Sequence, residues 1–357
     1  LPQDNLPVIE QDAITQTLSD TIKIATFNLF NYLEPPFAFY DFERIYTAEQ
    51  WQKKQNWIAE YLIEYKPDVI GFQEVFSPES LKILVAAQGY GHFEVVDEAE
   101  VIDDFICRSP VVAIASRYPI THIEAVVPDK ELAVAMGLKD NFTFSRQPLR
   151  ATIELPHIGE CDCYVVHFKS KRPMIEHDNS ANDESRTQTI IQTLKAEVTG
   201  SWGSSIQRGS EAALLLMSII ERREKTGLPM MLMGDFNDSL SDGVLAHLLT
   251  GSLRFISESE SDVILAKYRL KDTWDLYQAT DNCTEMAHRT PTHYYGMKKS
   301  VLDYILLSCE FDAQYHSSLF EVSEHDTYDR HLINPSFERD SQSTDHGIVC
   351  ITLALRA

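Results

Sequence analysis

The stretch that most restricts the fold spans residues 228–239, LPMMLMGDFNDS. Met230, Met231, Leu232 and Met233 form a continuous apolar run that ends at Gly234. Such a run, closed by glycine, reads as a strand buried on both faces. The loop that follows lies at the strand's carboxyl end, where open α/β sheets hold their ligands. Asp235 and Asn237 are two residues apart and can point from that loop into one crevice. Gly-Asp-x-Asn is also ordinary turn chemistry, because Asp and Asn bond to nearby backbone. The two readings are compatible.

Periodicity places the other elements. Residues 21–28 (TIKIATFN) alternate as a strand ending on Asn28. Thr47 and Gln50 form a capping box for a helix over 47–65, with Trp51, Ile58, Tyr61, Leu62 and Tyr65 on one face. Pro67 stops it, and a strand over 68–72 delivers Gln73 and Glu74. Ser77 and Pro78 start a second helix. Residues 92–96, 111–115, 121–127, 149–155 and 163–168 are strand-like, the last carrying His167 near its end. After a charged loop at 169–182, helices are expected over 184–198 and 208–225, and another from about Ser241. Residues 251–300 read as irregular, 300–307 as a strand containing Asp303, and 321–343 as loop. Asp345 and His346 precede a last strand, 348–355.

Length and charge narrow the function. The 357 residues fit one large α/β domain, expected over 21–357 behind an arm at 1–20. The formal net charge of -23 excludes a protein that holds nucleic acid on a broad basic surface. A local cationic site stays open, since exposed charges more than roughly 8–10 Å apart are screened. No run of about 18 apolar residues marks a membrane span. The six cysteines lack paired CxxC spacing, and both disulfides and buried thiols are compatible with them. Leu1 is read as a processed or trimmed start.

Asn28, Glu74, His167, Asp235, Asn237, Asp303 and His346 each sit in or beside an apolar strand pattern. One such residue is ordinarily a satisfied polar group. Several, at the ends of separate strands, are harder to explain as packing. Buried carboxylates cost several kcal/mol unless they are paired or bind a cation. Carboxylates beside amides and imidazoles therefore point to a hard-metal site with acid–base groups next to it.

In order, ATFN (25–28), GFQEV (71–75), VVHFKS (165–170), GDFND (234–238), LDYIL (302–306) and TDHG (344–347) resemble the motifs of the endonuclease/exonuclease/phosphatase superfamily. That superfamily includes pancreatic-type deoxyribonucleases, abasic-site endonucleases, neutral sphingomyelinases and inositol-polyphosphate 5-phosphatases. The resemblance covers about residues 22–355. It implies an α/β fold, a four-layer sandwich of two packed mixed sheets flanked by helices, with the site at the sheet ends. It implies metal binding by Glu74, Asn28 and Asp345, with Mg²⁺ expected and Mn²⁺ or Ca²⁺ as alternatives. Asp235 and Asn237 would hold the attacking water and a phosphoryl oxygen. His346 would be the general base, oriented by Asp303, and His167 its protonated partner. Arg146, in FSRQP, resembles a phosphate-contacting arginine.

The run HFKSK (167–171) looks most like bacterial extracellular or periplasmic nucleases of the superfamily, which sets the expected location. Lys169, Lys171, Arg172 and Arg208 would supply a cationic funnel, or else a solvated charged loop. His167 stands where abasic-site endonucleases have tyrosine. The carboxylate that supports the first histidine in deoxyribonucleases has no counterpart in RSPVVAIAS (108–116). The expected function is metal-dependent phosphodiester hydrolysis by a monomer, with DNA, and RNA as well, as the nucleic-acid substrate. A small or lipid phosphate ester is the alternative, and a catalytically dead binding module the third reading.

Overall fold

The computed structural model describes residues 20–102, 104–175, 185–241, 243–280, 282–283 and 287–356. The expected arm, apart from Asp20, lies outside them, as does the second half of the charged loop at 169–182. Two six-stranded sheets form the frame. Their strands in chain order are β1 (Thr21–Tyr32), β2 (Val69–Val75), β3 (His92–Glu94), β4 (Val111–Ser116), β5 (Ile120–Ala125) and β6 (Leu149–Leu155). They continue with β7 (Gly159–His167), β8 (Met230–Asp235), β9 (Lys271–Asp272), β10 (Asp303–Leu307), β11 (Phe320–Tyr328) and β12 (Ile348–Leu355). The first sheet runs β11-β12-β1-β2-β4-β3 and the second β9-β10-β8-β7-β6-β5. Only β1/β2 and β7/β8 pair in parallel; the other neighbours are antiparallel.

The sheets face each other across an apolar layer. Ile22, Ile24, Val69 and Ile114 of the first meet Ile153, Val165, Met233 and Ile305 of the second. Each such side chain contributes about 1.5–3 kcal/mol by leaving water. Helix α1 (Ala48–Tyr65) covers the outer face of the first sheet, laying Trp57, Ile58 and Tyr61 on Phe27 and Phe72. Its Thr47–Gln50 capping box is formed, and Lys66 ends it in a left-handed conformation before Pro67. Helix α2 (Arg186–Thr226) covers the second sheet with Ala212, Leu215 and Ile219. The result is the expected four-layer α/β sandwich. Every residue of β8 is buried, as in β4 and β10.

Four local expectations are corrected. The helices expected over 184–198 and 208–225 are one helix of 41 residues. Gly200 does not break it; a Cβ there would lie 2.7 Å from the Ile175 carbonyl, so glycine admits a chain crossing the helix. Residues 321–343, expected as loop, contain edge strand β11, whose Phe320 and Val322 are buried while its other positions are mostly polar. The stretch 251–300 holds helices Glu258–Tyr268 and Thr273–Gln278 and a hairpin pairing His293–Tyr295 with Lys298–Ser300. The helix expected from Ser241 is a 3₁₀ segment, Gly243–Leu249. All six cysteines are free thiols. Among the described residues no helix is long and apolar enough to cross a membrane.

Gly234 has φ 151°, and a Cβ there would run into the Val166 carbonyl of β7. The parallel β7/β8 pairing at this level therefore requires glycine. Gly234→Ala should lower unfolding free energy by about 3–5 kcal/mol, read as a shift of the denaturant midpoint. A midpoint within error of the wild type would show that the strands can separate there without cost.

Candidate active site

The parallel pairing of β7 and β8 sets His167 level with Asp235, and the antiparallel pairing of β8 and β10 sets Asp303 level with Asp235 on the other side. β12 runs against β1, so the loop before it, with Asp345 and His346, returns to the end where β1 presents Asn28. Thr344 Oγ1 donates to the Asn28 carbonyl at 2.6 Å and accepts from His346 N, which fixes that loop.

Asp235 is the hub. Its Oδ2 accepts from Asn28 Nδ2 at 3.1 Å, a bond that joins the two sheets. Asn237 N donates to Oδ1 at 2.8 Å, and Asn237 Nδ2 lies 3.0 Å from the Phe168 carbonyl and 3.3 Å from Asp235 Oδ2. The same Oδ2 stands 3.4 Å from His167 Nε2 and 3.8 Å from His346 Nε2. His346 Nδ1 is 2.9 Å from Asp303 Oδ2, so the aspartate fixes the ring's tautomer and orientation. His331 Nε2 donates to the His346 carbonyl at 2.9 Å. Glu74 and Asn237 both have φ near 60°, a conformation non-glycine residues seldom hold and one that concentrates at functional sites.

The charges are unequal in a useful way. Burial raises the Asp235 pKa, and the nearby His346 only partly offsets it. Burial alone would lower His346, but Asp303 and Asp235 outweigh it and hold the imidazolium well above its ordinary range. Burial, followed by the charge of Arg146, pushes His167 well below its ordinary value. The sequence reading gave His346 the role of base and His167 the proton. The electrostatics of the site favour a proton on His346, which faces two carboxylates, and disfavour one on His167, through burial and then the charge of Arg146.

Glu74, Arg146, His167, Lys171, Asp235, Asn237, Asp345 and His346 line one cleft of about 560 Å³. Asn28 and Asp303 support it from behind. The expected cationic funnel forms only in part. Arg208 is buried, pairs with Asp238 at 2.9 Å and donates to the Lys169 carbonyl at 3.0 Å, so it braces the loop and does not face the cleft. Lys169 Nζ turns back to the Arg172 carbonyl at 3.1 Å. Lys171 reaches the rim while paired with Asp238 at 2.7 Å. Arg44, Arg172 and Lys298 line the cleft as well, and His293 places its ring 5.5 Å from that of His346.

Two buried ionic residues escaped the sequence reading. Glu211 accepts from Ser145 N at 2.6 Å and Lys169 N at 2.7 Å, tying the loop that carries Arg146 to the loop after β7. Lys54, 1 % exposed, donates to the Ser343 carbonyl beside the Asp345 loop. Burial lowers its pKa to about 7 against the opposing pull of Glu74 and Asp345. It falls three residues after Trp51 and four before Ile58, so the helix period alone puts it on the buried face.

The residues fit a hard divalent ion. Burial and then Asp345 raise the Glu74 pKa, the signature of two acids sharing a place without a full counter-charge. Asn31 N donates to Glu74 Oε2 at 2.9 Å, while Asn31 Oδ1 is buried with no hydrogen-bond partner among the described residues. This all-oxygen set suits Mg²⁺. Asp235, Asp303 and His346 also bring ligand atoms within 4.8 Å of one another. There the Asp303–His346 hydrogen bond already uses Nδ1, which matches a charge pair better than a metal cage.

The sequence profile of the endonuclease/exonuclease/phosphatase family matches residues 25–346, and the chain belongs to that family. It is therefore a metal-dependent phosphoester hydrolase. No curated protein sequence matches it. Solved structures share the fold. The human nocturnin catalytic domain with bound sulfate is 15% identical, with TM-score 0.55 over 95% of this chain and 96% of that one. An endonuclease/exonuclease/phosphatase protein from Beutenbergia cavernae DSM 12333 is 16% identical, with TM-score 0.53 over 94% and 72%. D. rerio TDP2 complexed with single-strand DNA product is 13% identical, with TM-score 0.51 over 94% and 99%.

Asp303→Asn removes a carboxylate that raises His346, so the imidazolium should lose its proton at lower pH. The basic limb of the kcat/KM profile should move down in pH, with kcat about 10²–10⁴-fold lower. A basic limb left in place would mean that the Asp303 charge does not govern His346.

Proposed function

We propose that the chain hydrolyses phosphodiester bonds of nucleic acid, DNA in first place and RNA as well. The observation that carries this reading is the length of the trough. The catalytic cleft shares Lys171, Lys298, Ser300 and Leu302 with a second cavity of about 500 Å³, so the surface continues past the reacting centre. A polymer would use that continuation; a small phosphate ester would not. Lys298 and Lys299 line that continuation, together with Lys171 and Arg289, which pair with Asp238 and Asp272, and they are the phosphate contacts it offers within a chain of net charge -23.

In this reading Asp235 Oδ2 takes a proton from a water seated between it and the substrate phosphorus. Burial makes this carboxylate a stronger base than usual. The water oxygen bonds to phosphorus, and the ester bond on the opposite side breaks. The departing oxygen takes a proton from solvent at the open mouth of the cleft. His346 as imidazolium, with Arg146, stabilises the charge on the phosphoryl oxygens, while Asn28 and Asn237 hold Asp235 in place. Glu74, with Asn28 and Asp345, would hold the divalent ion, Mg²⁺ or, with the same donors, Mn²⁺ or Ca²⁺. Bound there, it supplies neutralisation of charge on the phosphoryl oxygens. A lipid phosphodiester is the second reading, favoured by exposed apolar side chains on α2 near the cleft.

A panel of supercoiled DNA, single strands, RNA, sphingomyelin, inositol phosphates and a chromogenic phosphodiester, each with Mg²⁺, Mn²⁺ and Ca²⁺, separates these readings. Polynucleotides should be cut with Mg²⁺, and both EDTA and Glu74→Ala should stop turnover in a protein that still folds. Cleavage of sphingomyelin or inositol phosphates with polynucleotides left intact would replace the nuclease reading.

His346→Ala should also abolish hydrolysis, since it removes the imidazolium that faces Asp235. Wild-type rates in that variant would remove His346 from the mechanism.

A further inference from the structure

One hairpin forms a wall of the catalytic cleft, and the mechanism uses none of its side chains. Its strands, His293–Tyr295 and Lys298–Ser300, pair His293 with Ser300 and Tyr295 with Lys298. Cross-strand partners share a face, and so do residues two apart on one strand. His293, Tyr295, Lys298 and Ser300 therefore point the same way, and all four line the cleft. The opposite face anchors the hairpin, where the Tyr294 hydroxyl donates to Asp329 Oδ2 at 2.6 Å. Buried Thr292 fixes its base. Thr292 Oγ1 accepts from Leu302 N at 2.9 Å and from Asp303 N at 3.2 Å. Its own N donates to the Ser300 carbonyl at 2.9 Å, and its carbonyl accepts from Gly347 N at 2.6 Å. One threonine thus ties His293 to the two segments that carry Asp303 and His346.

The chemistry of that face is one-sided. An imidazole, a phenol, an ammonium and a hydroxyl all offer hydrogen-bond donors, and residues 286–302 contain no Asp or Glu. The His293 ring makes no hydrogen bond among the described residues, and Lys298 is exposed with no ion pair among them. Lys171, Arg208 and Arg289 differ, because Asp238 and Asp272 already meet their charges. In a chain of net charge -23, a wall of donors without a carboxylate of its own fits an anion from outside.

The position of the face says which anion. The His293 ring lies 5.5 Å from that of His346, so the face begins at the reacting centre. Lys298 and Ser300 also line the second cavity, so it continues away from that centre. The phosphoryl group being cut already has His346 and Arg146. A wall that leads past them meets another phosphate of the same substrate.

We propose that the hairpin face of His293, Tyr295, Lys298 and Ser300 is a second phosphate subsite, holding a phosphate of the substrate other than the one cut. It rests on the reading above that a phosphate ester is cut beside His346, and it narrows the substrate to molecules with at least two phosphates. Neighbouring linkages of a polynucleotide and the several phosphates of an inositol phosphate share that chemistry. The test measures kcat/KM with Mg²⁺ on matched pairs. One pair is a thymidine dinucleotide with its single phosphodiester and the same dinucleotide with a 5′- or 3′-phosphate added; the other is inositol phosphates with one and with two phosphates. The wild type should prefer the two-phosphate member by at least about tenfold, the scale of one charge-assisted hydrogen bond. Lys298→Gln combined with Ser300→Ala should abolish that preference and Lys298→Arg should keep it, a split that general damage to the fold would not produce. Dinucleotide pairs cleaved equally, or not at all by an enzyme that cuts longer DNA, overturn the subsite and leave the nuclease reading standing, as does a preference that survives the double variant. Inositol phosphates cleaved with a hairpin-dependent preference, and DNA and RNA left intact, overturn the nuclease reading and keep the subsite. Cleavage confined to inositol phosphates without that preference, or to sphingomyelin with its one phosphate, overturns both.

Discussion

One buried carboxylate organises this molecule's functional end. Asp235 leaves water at the tip of a strand buried along its whole length, and a lone carboxylate there would cost several kcal/mol. The surroundings answer that cost from every side. Asn28 reaches across from the other sheet, Asn237 folds back on it from the next turn, and two imidazoles stand against its Oδ2. Because these partners come from four segments, the site can form only when both sheets have packed. Catalytic geometry and tertiary structure are thus one condition. The left-handed backbone at Asn237 follows from it, since the residue must turn its amide back onto the carboxylate it succeeds.

Much of the frame was legible in the chain because burial and period agreed. β6 and β12 occupy the residues their apolar patterns mark, and α1 starts on the capping box its sequence spells. The polar residues at strand ends stood out because they interrupt otherwise apolar patterns. The six motifs then fixed their order. Where pattern and environment diverged, the reading failed. β11 lies at a sheet edge, where polar side chains alternate with buried Phe320 and Val322, and the stretch reads as loop. The helix Arg186–Thr226 reads as two, because nothing local says that the chain at Ile175 will pack against Gly200.

The charged residues were misread for a related reason. Lys169 and Lys171 directly follow the histidine motif and Arg208 lies on the helix after that loop, and a linear reading aims them all at substrate. In the structure, Asp238 pairs with Arg208 and Lys171, and Lys169 Nζ turns back to the Arg172 carbonyl. Lys54 is the reverse case, a cation hidden on an apolar helix face that a charge-blind view of the stripe passes over. Neither the acceptors nor the depth of burial are written in the spacing. They arise when distant segments meet.

The protonation pattern also belongs to the assembled site. An isolated histidine would give two equivalent imidazoles near pKa 6.5. Packing separates them: His346 gains Asp303 and Asp235, whereas His167 meets Arg146 and loses water. The molecule thereby sets a charged imidazole and a neutral one on the same carboxylate. A phosphodiester entering the cleft brings a negative charge to both, and it strengthens the hold of His346 while giving His167 a reason to take up a proton. The neutral histidine is the group that substrate can change, and the charged one is already set before substrate arrives.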